Sequence, residues 1–256
     1  MVPQDRAAAM VTPPAAMDPL ERALSYPYSA PAHSYVFRGG VAVPAAICAA
    51  DRAGRIPVLA CGSNRAPAQL KRKFAAVPDA LIPVERVFLA DFDSVYAAHI
   101  SGYGAIAATL QHCPGCSVEL FITWLPESLM PRMHATEGRG TFYDYVRLEG
   151  IALAGEGGVR FDSAYAYAFR GGCLNLGGAE AAVAAVPAAG RRFRALTEEE
   201  VQAAAQAKLG ESGQLADFVL AAVHDQAVRL AREARLCADA IPFAWPRSVV
   251  IAEGNR

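Results

Sequence analysis

Closely spaced strand-forming segments between residues 57 and 169 constrain the fold of this chain more than any other feature. They are rich in valine, isoleucine, phenylalanine and tyrosine, which favour the pleated surface of a sheet. Only two short helical segments, at 69–74 and 126–133, interrupt them. Strands with so few helices between them predict a mixed or antiparallel sheet that curls into a small β-barrel flanked by helices. The predicted strands span residues 57–60, 83–92, 95–100, 105–111, 118–125, 145–154 and 160–169.

The chain on either side of this region differs from it. The first residues are rich in proline and predict an extended arm, with short strands at 34–37 and 41–43. From residue 177 onward the pattern is helical, and Thr197 with Glu200 forms a capping box at one helix start. The predicted elements of this last region are helices at 179–186, 197–208 and 215–234, the last a single long amphipathic helix, and a strand at 249–252.

These patterns predict an α+β fold in three parts. Residues 1–56 form the N-terminal arm, residues 57–176 form the β-barrel core, and residues 177–256 form a helical extension that packs on the core. The extension also offers a surface through which two copies of the chain could associate as a homo-oligomer.

Composition excludes several classes of function. The 256 residues include 24 basic and 25 acidic side chains, so no net charge favours nucleic acid. No run of bulky apolar residues is long enough to span a membrane, and no signal-peptide pattern is expected at the N-terminus. Six scattered cysteines without the spacing of a disulfide framework suit a reducing cytoplasm. We therefore expect a cytoplasmic protein that binds neither nucleic acid nor membrane.

A loop at Gly62-Ser63-Asn64 follows a short apolar strand and precedes a helical segment. A strand that ends at a glycine and enters a helix leaves several backbone N–H groups without partners in one concavity. Such a concavity suits a carboxylate, a phosphate or a developing oxyanion. A tight turn capped by serine or asparagine would show the same pattern, so the loop alone does not establish a site.

Glu137 is the strongest candidate for acid–base chemistry. It directly follows a helical segment and precedes Gly138, so its carboxylate can face a cleft. A partly desolvated glutamate can both accept and donate a proton near neutral pH. The alternative is a solvated, half-exposed loop carboxylate without a catalytic role.

Three motifs occur here in a recognisable order. Gly62-Ser63-Asn64 follows an apolar strand, Ala108-Thr109-Leu110 precedes Pro114-Gly115 and Val118, and Glu137-Gly138 precedes Tyr143 by six residues. Together they resemble the γ-glutamylcyclotransferase-like family over about residues 57–169, under half of the chain. One departure is that Cys61 occupies the position of the family's loop tyrosine.

The resemblance implies a fold, an activity and a set of site residues. It implies a small mixed β-barrel and cleavage of a γ-glutamyl amide by the substrate's own α-amine, which yields 5-oxoproline and a free amine. It also implies that residues 61–64 and Tyr143 bind the substrate and that Glu137 moves the proton. No cofactor and no metal are expected, because the nucleophile belongs to the substrate.

Three alternatives remain open at the level of sequence. The same fold could be a non-catalytic small-molecule-binding or scaffold module. Cys61 could act as a nucleophile at a helix N-terminus, where the dipole lowers a thiol pKa. His112, Cys113 and Cys116 could begin a zinc site with His134 or Cys173, although a β-turn at Pro114-Gly115 accounts for the same residues and we favour it.

Overall fold

Five strands close into a barrel in a computed structural model that describes residues 17–251. The strands pair in the order β4–β5–β3–β7–β6, and β6 pairs back with β4. β3 and β7 run parallel and the other neighbours run antiparallel, so the barrel is mixed. The α+β barrel expected from the crowded strand segments is confirmed. Its strands are β3 (Arg55–Ala60), β4 (Leu81–Ile100), β5 (Ile106–Pro126), β6 (Tyr143–Gly155) and β7 (Arg160–Phe169).

Six shorter strands extend this sheet. β1 (Tyr35–Arg38) and β2 (Val41–Pro44) form the hairpin predicted around Gly39-Gly40, and β1 also pairs with β4. The remaining short strands are β8 (Ala181–Val183), β9 (Ala188–Ala189), β10 (Arg194–Leu196) and β11 (Ser248–Val250). Strands from both flanking regions join the sheet, so the sheet extends across the predicted boundaries at residues 56 and 176. The division of the chain into three parts stays a prediction.

The helix predicted at 179–186 is wrong. Ala181, Ala182 and Val183 form β8, are completely or almost completely buried, and pair with β4 on one side and β10 on the other. Alanine favours helices in isolation, but burial between two strands outweighs that weak preference.

The helices contact several strands of the sheet. The capping box is confirmed, since the Thr197 side chain accepts from the Glu200 N–H and the Glu200 carboxylate accepts from the Thr197 N–H. The helices are α1 (Pro19–Leu24), α2 (Ala49–Arg52), α3 (Pro67–Lys73), α4 (Met130–Glu137), α5 (Glu198–Lys208), α6 (Leu215–His224) and α7 (Gln226–Cys237).

The single long helix predicted at 215–234 is two helices. Asp225 separates α6 from α7 with an extended backbone, φ −123° and ψ 108°. Its carboxylate accepts hydrogen bonds from the N–H groups of Ala227 and Val228 and so begins a new helix. The apolar pattern runs on through Asp225 without interruption. The break between α6 and α7 can be seen in the sequence only if Asp225 is considered as a helix cap.

The turn predicted at 113–116 is also wrong, because β5 continues through it. The irregularity is a bulge between β4 and β5, where Asp91 has φ 62° and Gly115 has φ 81°. The Asp91 carboxylate accepts a hydrogen bond of 2.8 Å from the Gly115 N–H across this bulge. Four residues of β5, 113–116, stand opposite the single residue Asp91 of β4, and such a bulge bends a pair of strands without ending either.

One hydrophobic core lies inside the barrel and continues beneath the helices. Phe92, Tyr96 and Phe121 are among its largest completely buried side chains. The apolar face of α6 joins this core through Phe218 and Val219, which fixes the helical extension against the barrel. Among residues 17–251, no helix combines the length and the apolar character that crossing a membrane needs.

Candidate functional site

A pocket of about 410 Å³ lies where the loop after β3 meets the end of α4, the start of β6 and the side of α7. Its wall contains every residue proposed from the sequence. These are Cys61, Gly62, Ser63, Asn64, Glu137 and Tyr143. Residues more than 70 positions apart in the chain thus share one cavity of amino-acid size, and of the described arm residues 17–56 only Tyr26 lies in its wall.

The loop residues take the arrangement that the sequence predicted. Residues Ser63–Arg65 form one 3₁₀ turn between β3 and α3. The first N–H groups of such a turn have no acceptor within it and remain available to a ligand. Gly62 is necessary for a spatial reason, since a Cβ there would overlap the hydroxyl of Tyr26. That hydroxyl accepts a 2.7 Å hydrogen bond from the Ala108 N–H.

Glu137 is the last residue of α4, and Gly138 ends the helix in the left-handed conformation with φ 61°. Its Oε1 accepts a hydrogen bond of 2.7 Å from Asn64 Nδ2 and forms an ion pair with Lys73 Nζ. The Glu137 side chain is only 13% exposed and that of Lys73 only 7%. The expectation of a half-exposed loop glutamate is therefore wrong, because α4 directs the side chain toward α3.

Two acceptor atoms beside this ion pair receive no hydrogen bond from the described part of the chain. Glu137 Oε2 receives no hydrogen bond from any residue between 17 and 251, and Asn64 Oδ1 is buried without a donor in the same part of the chain. A buried polar atom without a partner costs free energy unless a ligand or water satisfies it. The pair of acceptors suits a ligand that donates N–H groups.

Aromatic side chains form much of the remaining wall. Tyr143 packs edge-on against Phe169 and against His99, with ring centroids 5.5 and 5.7 Å apart. Burial, followed by the nearby Glu137 carboxylate, raises the pKa of Tyr143 well above its usual range. Burial likewise raises the pKa values of Tyr26 and Tyr103. These hydroxyls therefore remain protonated at neutral pH and serve as neutral hydrogen-bonding groups.

The helix α7 forms one side of the pocket mouth through Gln226, Arg229 and Leu230. Glu233, one turn further along, fixes the helix to β4. Its Oε2 lies 2.6 Å from His99 Nδ1 and accepts a 3.2 Å hydrogen bond from the Ile100 N–H. The helical extension thus contributes to the site as well as packing on the barrel.

The environment of Cys61 does not favour a nucleophilic thiolate. Burial, followed by the Glu137 carboxylate, raises the pKa of this thiol to about 12. An activated cysteine requires the opposite shift, which a nearby cation or a helix N-terminus produces. The α3 helix begins only at Pro67, and the Glu137 carboxylate raises the pKa of the thiol more than the Arg65 guanidinium lowers it.

The proposed zinc ligands Cys113 and Cys116 lie beside Asp93, with ligand atoms within 4.8 Å of one another. His134 and Cys173 do not belong to this group. Arg191 occupies both oxygens of Asp93, through hydrogen bonds of 2.8 and 3.0 Å. A carboxylate that is already neutralised by a guanidinium is a poor third ligand, so the donor set does not suit a tetrahedral Zn²⁺.

Sequence analysis missed several residues of the pocket. Lys73 belongs to the basic run Lys71-Arg72-Lys73, a pattern typical of a solvated surface, yet its side chain is buried. Its position at the end of α3, on the same side as Leu70 three residues earlier, was the available signal. Tyr26 lies in the proline-rich arm, and Arg229 on a helix far from the motifs, where no sequence pattern indicated a site.

Comparisons with known proteins add little to the geometry of the pocket. No family model matches the chain, and no curated protein matches it. A solved structure named "Gamma-glutamyl cyclotransferase" is 13% identical, with a TM-score of 0.36 over 77% of this chain and 94% of that one. A crystal structure of an uncharacterized protein from Homo sapiens is 14% identical, with a TM-score of 0.35 over 78% and 95%. Similarity at this level supports no argument about family or activity.

Proposed function

We propose that this chain is a γ-glutamylcyclotransferase-like enzyme, which cleaves a γ-glutamyl amide into 5-oxoproline and an amine or amino acid. The observation that supports it most is the position of Glu137, in the wall of an amino-acid-sized pocket and beside Asn64 and Lys73. The motif order that relates residues 57–169 to that family supports it independently.

The proposed reaction needs one proton carrier and one set of oxyanion donors. The substrate α-amine attacks the γ-carbonyl carbon, a C–N bond forms, and Glu137 takes a proton from the attacking nitrogen. The carbonyl oxygen becomes an oxyanion, which the N–H groups of the 3₁₀ turn at Ser63 and Asn64 stabilise. Glu137 then gives the proton to the leaving nitrogen as the original amide C–N bond breaks.

Lys73 and Asn64 act through Glu137 in this proposal. Both donate to Oε1, so they hold the carboxylate in one orientation and leave Oε2 for the proton. The Lys73 cation also compensates the charge of the largely buried Glu137 carboxylate. Asn64 Oδ1, which is buried and without a donor among the described residues, can accept an N–H of the substrate amine.

The rival proposal is a binding or scaffold module on the same fold. An open pocket around Glu137 favours the enzyme over the module, since a module has no need of a carboxylate with one free oxygen in a cavity. We also propose a cytoplasmic location, which the six cysteines without a disulfide-framework spacing support.

The decisive experiment measures 5-oxoproline formed from a panel of γ-glutamyl amino acids and γ-glutamyl amines. Glu137→Gln should lose about 10²- to 10⁴-fold in kcat, because an amide cannot take the proton. Cys61→Ala is the matched control within the same loop and should retain activity. No product from any substrate would favour the binding module, and full activity of Glu137→Gln would remove Glu137 from its proposed role. Inactivity of Cys61→Ala alone would support the cysteine nucleophile.

A further inference from the structure

The pocket has an excess of positive charge. Three side chains in its wall belong to residue types with a formal charge, namely Lys73, Arg229 and Glu137. Lys73 and Glu137 neutralise each other in their ion pair. His99 in the same wall pairs with Glu233, which lies outside the pocket. Arg229 therefore leaves a net charge of about one positive unit in the cavity, which favours an anionic ligand.

Arg229 is held in place but has no anionic partner among residues 17–251. Its Nη1 donates a 2.9 Å hydrogen bond to the Ala222 carbonyl at the end of α6. Asp225, one turn earlier, uses its carboxylate to cap α7, and Glu233, one turn later, pairs with His99. Within residues 17–251, no carboxylate lies within 4.0 Å of the Arg229 guanidinium, and its other N–H groups have no acceptor there.

The position of Arg229 indicates which part of a substrate it would meet. The loop at 62–64 and Glu137 are at the buried side of the pocket, whereas Gln226 and Leu230, which flank Arg229 on α7, are exposed. A γ-glutamyl group that places its amide beside Glu137 can extend its leaving half toward α7, which lines the same pocket. A guanidinium forms paired hydrogen bonds with a carboxylate and has the planar shape to match it.

We infer that Arg229 binds a carboxylate on the leaving half of the substrate, so that the enzyme prefers γ-glutamyl amino acids to γ-glutamyl amines. This inference rests on the proposed function and specifies its substrate class. Arg229 is a specificity residue in it, because the bond-making atoms lie at Glu137.

The test compares γ-glutamyl-alanine with γ-glutamyl-alaninamide, which differ only in replacement of the carboxylate by a neutral amide. The wild type should show kcat/KM about tenfold to a hundredfold higher for the acid, the range expected for a hydrogen bond between charged groups. Arg229→Gln should lose this preference by lowering kcat/KM for the acid alone, and Arg229→Lys should keep part of it. Arg235→Gln, which removes the same charge from α7 outside the pocket wall, should leave the ratio unchanged.

A second measurement does not depend on turnover. Titration calorimetry with the Glu137→Gln variant should show tighter binding of γ-glutamyl-alanine than of γ-glutamyl-alaninamide. The double variant Glu137→Gln/Arg229→Gln should bind the two compounds equally. If 5-oxoproline forms equally well from both compounds, or if Arg229→Gln weakens both equally, the inference is wrong while the proposed function stands. If neither compound is cleaved or bound, both are wrong.

Discussion

Glu137 and Lys73 depend on each other at the scale of single residues. Both side chains are largely buried, and the ion pair between them compensates the loss of hydration that each charge suffers. Removal of one partner leaves the other charge buried without its counterion, whereas removal of both leaves a neutral cavity wall. The pair therefore affects stability as well as the proposed chemistry.

We predict that Glu137→Gln lowers the free energy of unfolding by about 1–3 kcal/mol, because the Lys73 ammonium loses its carboxylate. The double variant Glu137→Gln/Lys73→Met should be more stable than Glu137→Gln, since no buried charge remains. Urea unfolding of the wild type, both single variants and the double variant measures this as a double-mutant cycle. Additive losses would contradict the coupling, and Lys71→Met, an exposed lysine of the same helix, should change little.

Gly62 leads to a second prediction at this scale. A Cβ at this position overlaps the Tyr26 hydroxyl and closely approaches the Ala108 side chain, so Gly62→Ala must displace Tyr26 from its bond with the Ala108 N–H. We expect a loss of about 1–3 kcal/mol in the free energy of unfolding, the usual range for overpacking.

The φ of Gly62, −128°, lies outside the left-handed region, and this prediction is argued from the space that a Cβ would need. Gly157→Ala is the matched control, because a Cβ there meets nothing within 4 Å and its φ is not in the left-handed region. Tyr26→Phe combined with Gly62→Ala should recover part of the loss by removing the overlapping oxygen. Equal effects of Gly62→Ala and Gly157→Ala would show that Tyr26 does not occupy the position described.

At the scale of elements, α7 connects the helical extension to the site. It begins at the Asp225 cap, presents Arg229 to the pocket and is fixed to β4 through Glu233. The start of this helix therefore sets the position of the pocket mouth.

Asp225→Ala should lower the free energy of unfolding by about 0.5–2 kcal/mol, the usual cost of losing an N-cap. It should also raise KM for γ-glutamyl substrates, because α6 and α7 can then merge into one helix and move Arg229. Asp217→Ala, an exposed aspartate in the first turn of α6, is the control and should leave KM unchanged. Urea unfolding followed by circular dichroism measures the free energy of unfolding, and steady-state kinetics measures KM. An unchanged KM in Asp225→Ala would show that the N-cap of α7 does not affect the position of the pocket wall.

At the scale of the whole molecule, a buried carboxylate joins the extension to the barrel. Glu198, at the start of α5, accepts hydrogen bonds of 2.7 Å from the Ile106 N–H of β5 and 2.9 Å from Gln202 Nε2. Burial raises its pKa from the ordinary 4.5 to about 8. The folded chain therefore binds a proton at this site that the unfolded chain releases between these two pH values.

The sign of the effect on stability follows from that difference. Because the folded state binds more protons between pH 4.5 and about 8, the free energy of unfolding falls as the pH rises through this range, by at most about 1.4 kcal/mol per pH unit. Glu198→Gln cannot titrate and should make the profile flatter. Urea unfolding at several pH values between 5 and 8.5 checks this, with Glu199→Gln, an exposed neighbour, as control. A wild-type profile as flat as that of Glu198→Gln would contradict the buried position.

Self-association through the helical extension stays a prediction. Within the described chain, Phe218, Val219 and Ala222 of α6 are buried against the rest of the same molecule, so this apolar face is already covered. Sedimentation velocity over a range of protein concentrations measures the oligomeric state directly.

The sequence by itself determined the barrel, the loop and the catalytic candidate. Alternating β-branched and aromatic residues commit a segment to a strand, and the Gly62 loop and the Glu137-Gly138 helix end have strong local preferences. Capping is equally local, which is why the start of α5 was predicted correctly from Thr197 and Glu200.

Only the tertiary structure decided the elements and partners that depend on distant contacts. Residues 181–183 became a strand because β4 and β10 provide hydrogen-bond partners on both sides, although their alanines favour a helix. Lys73 and Glu137 are 64 positions apart, and Tyr26 reaches the site from the N-terminal arm. Local sequence preferences act over a few residues, whereas an ion pair or a pocket wall depends on how whole elements pack. No pattern near Tyr26 or Arg229 therefore indicated the site that they share with Lys73.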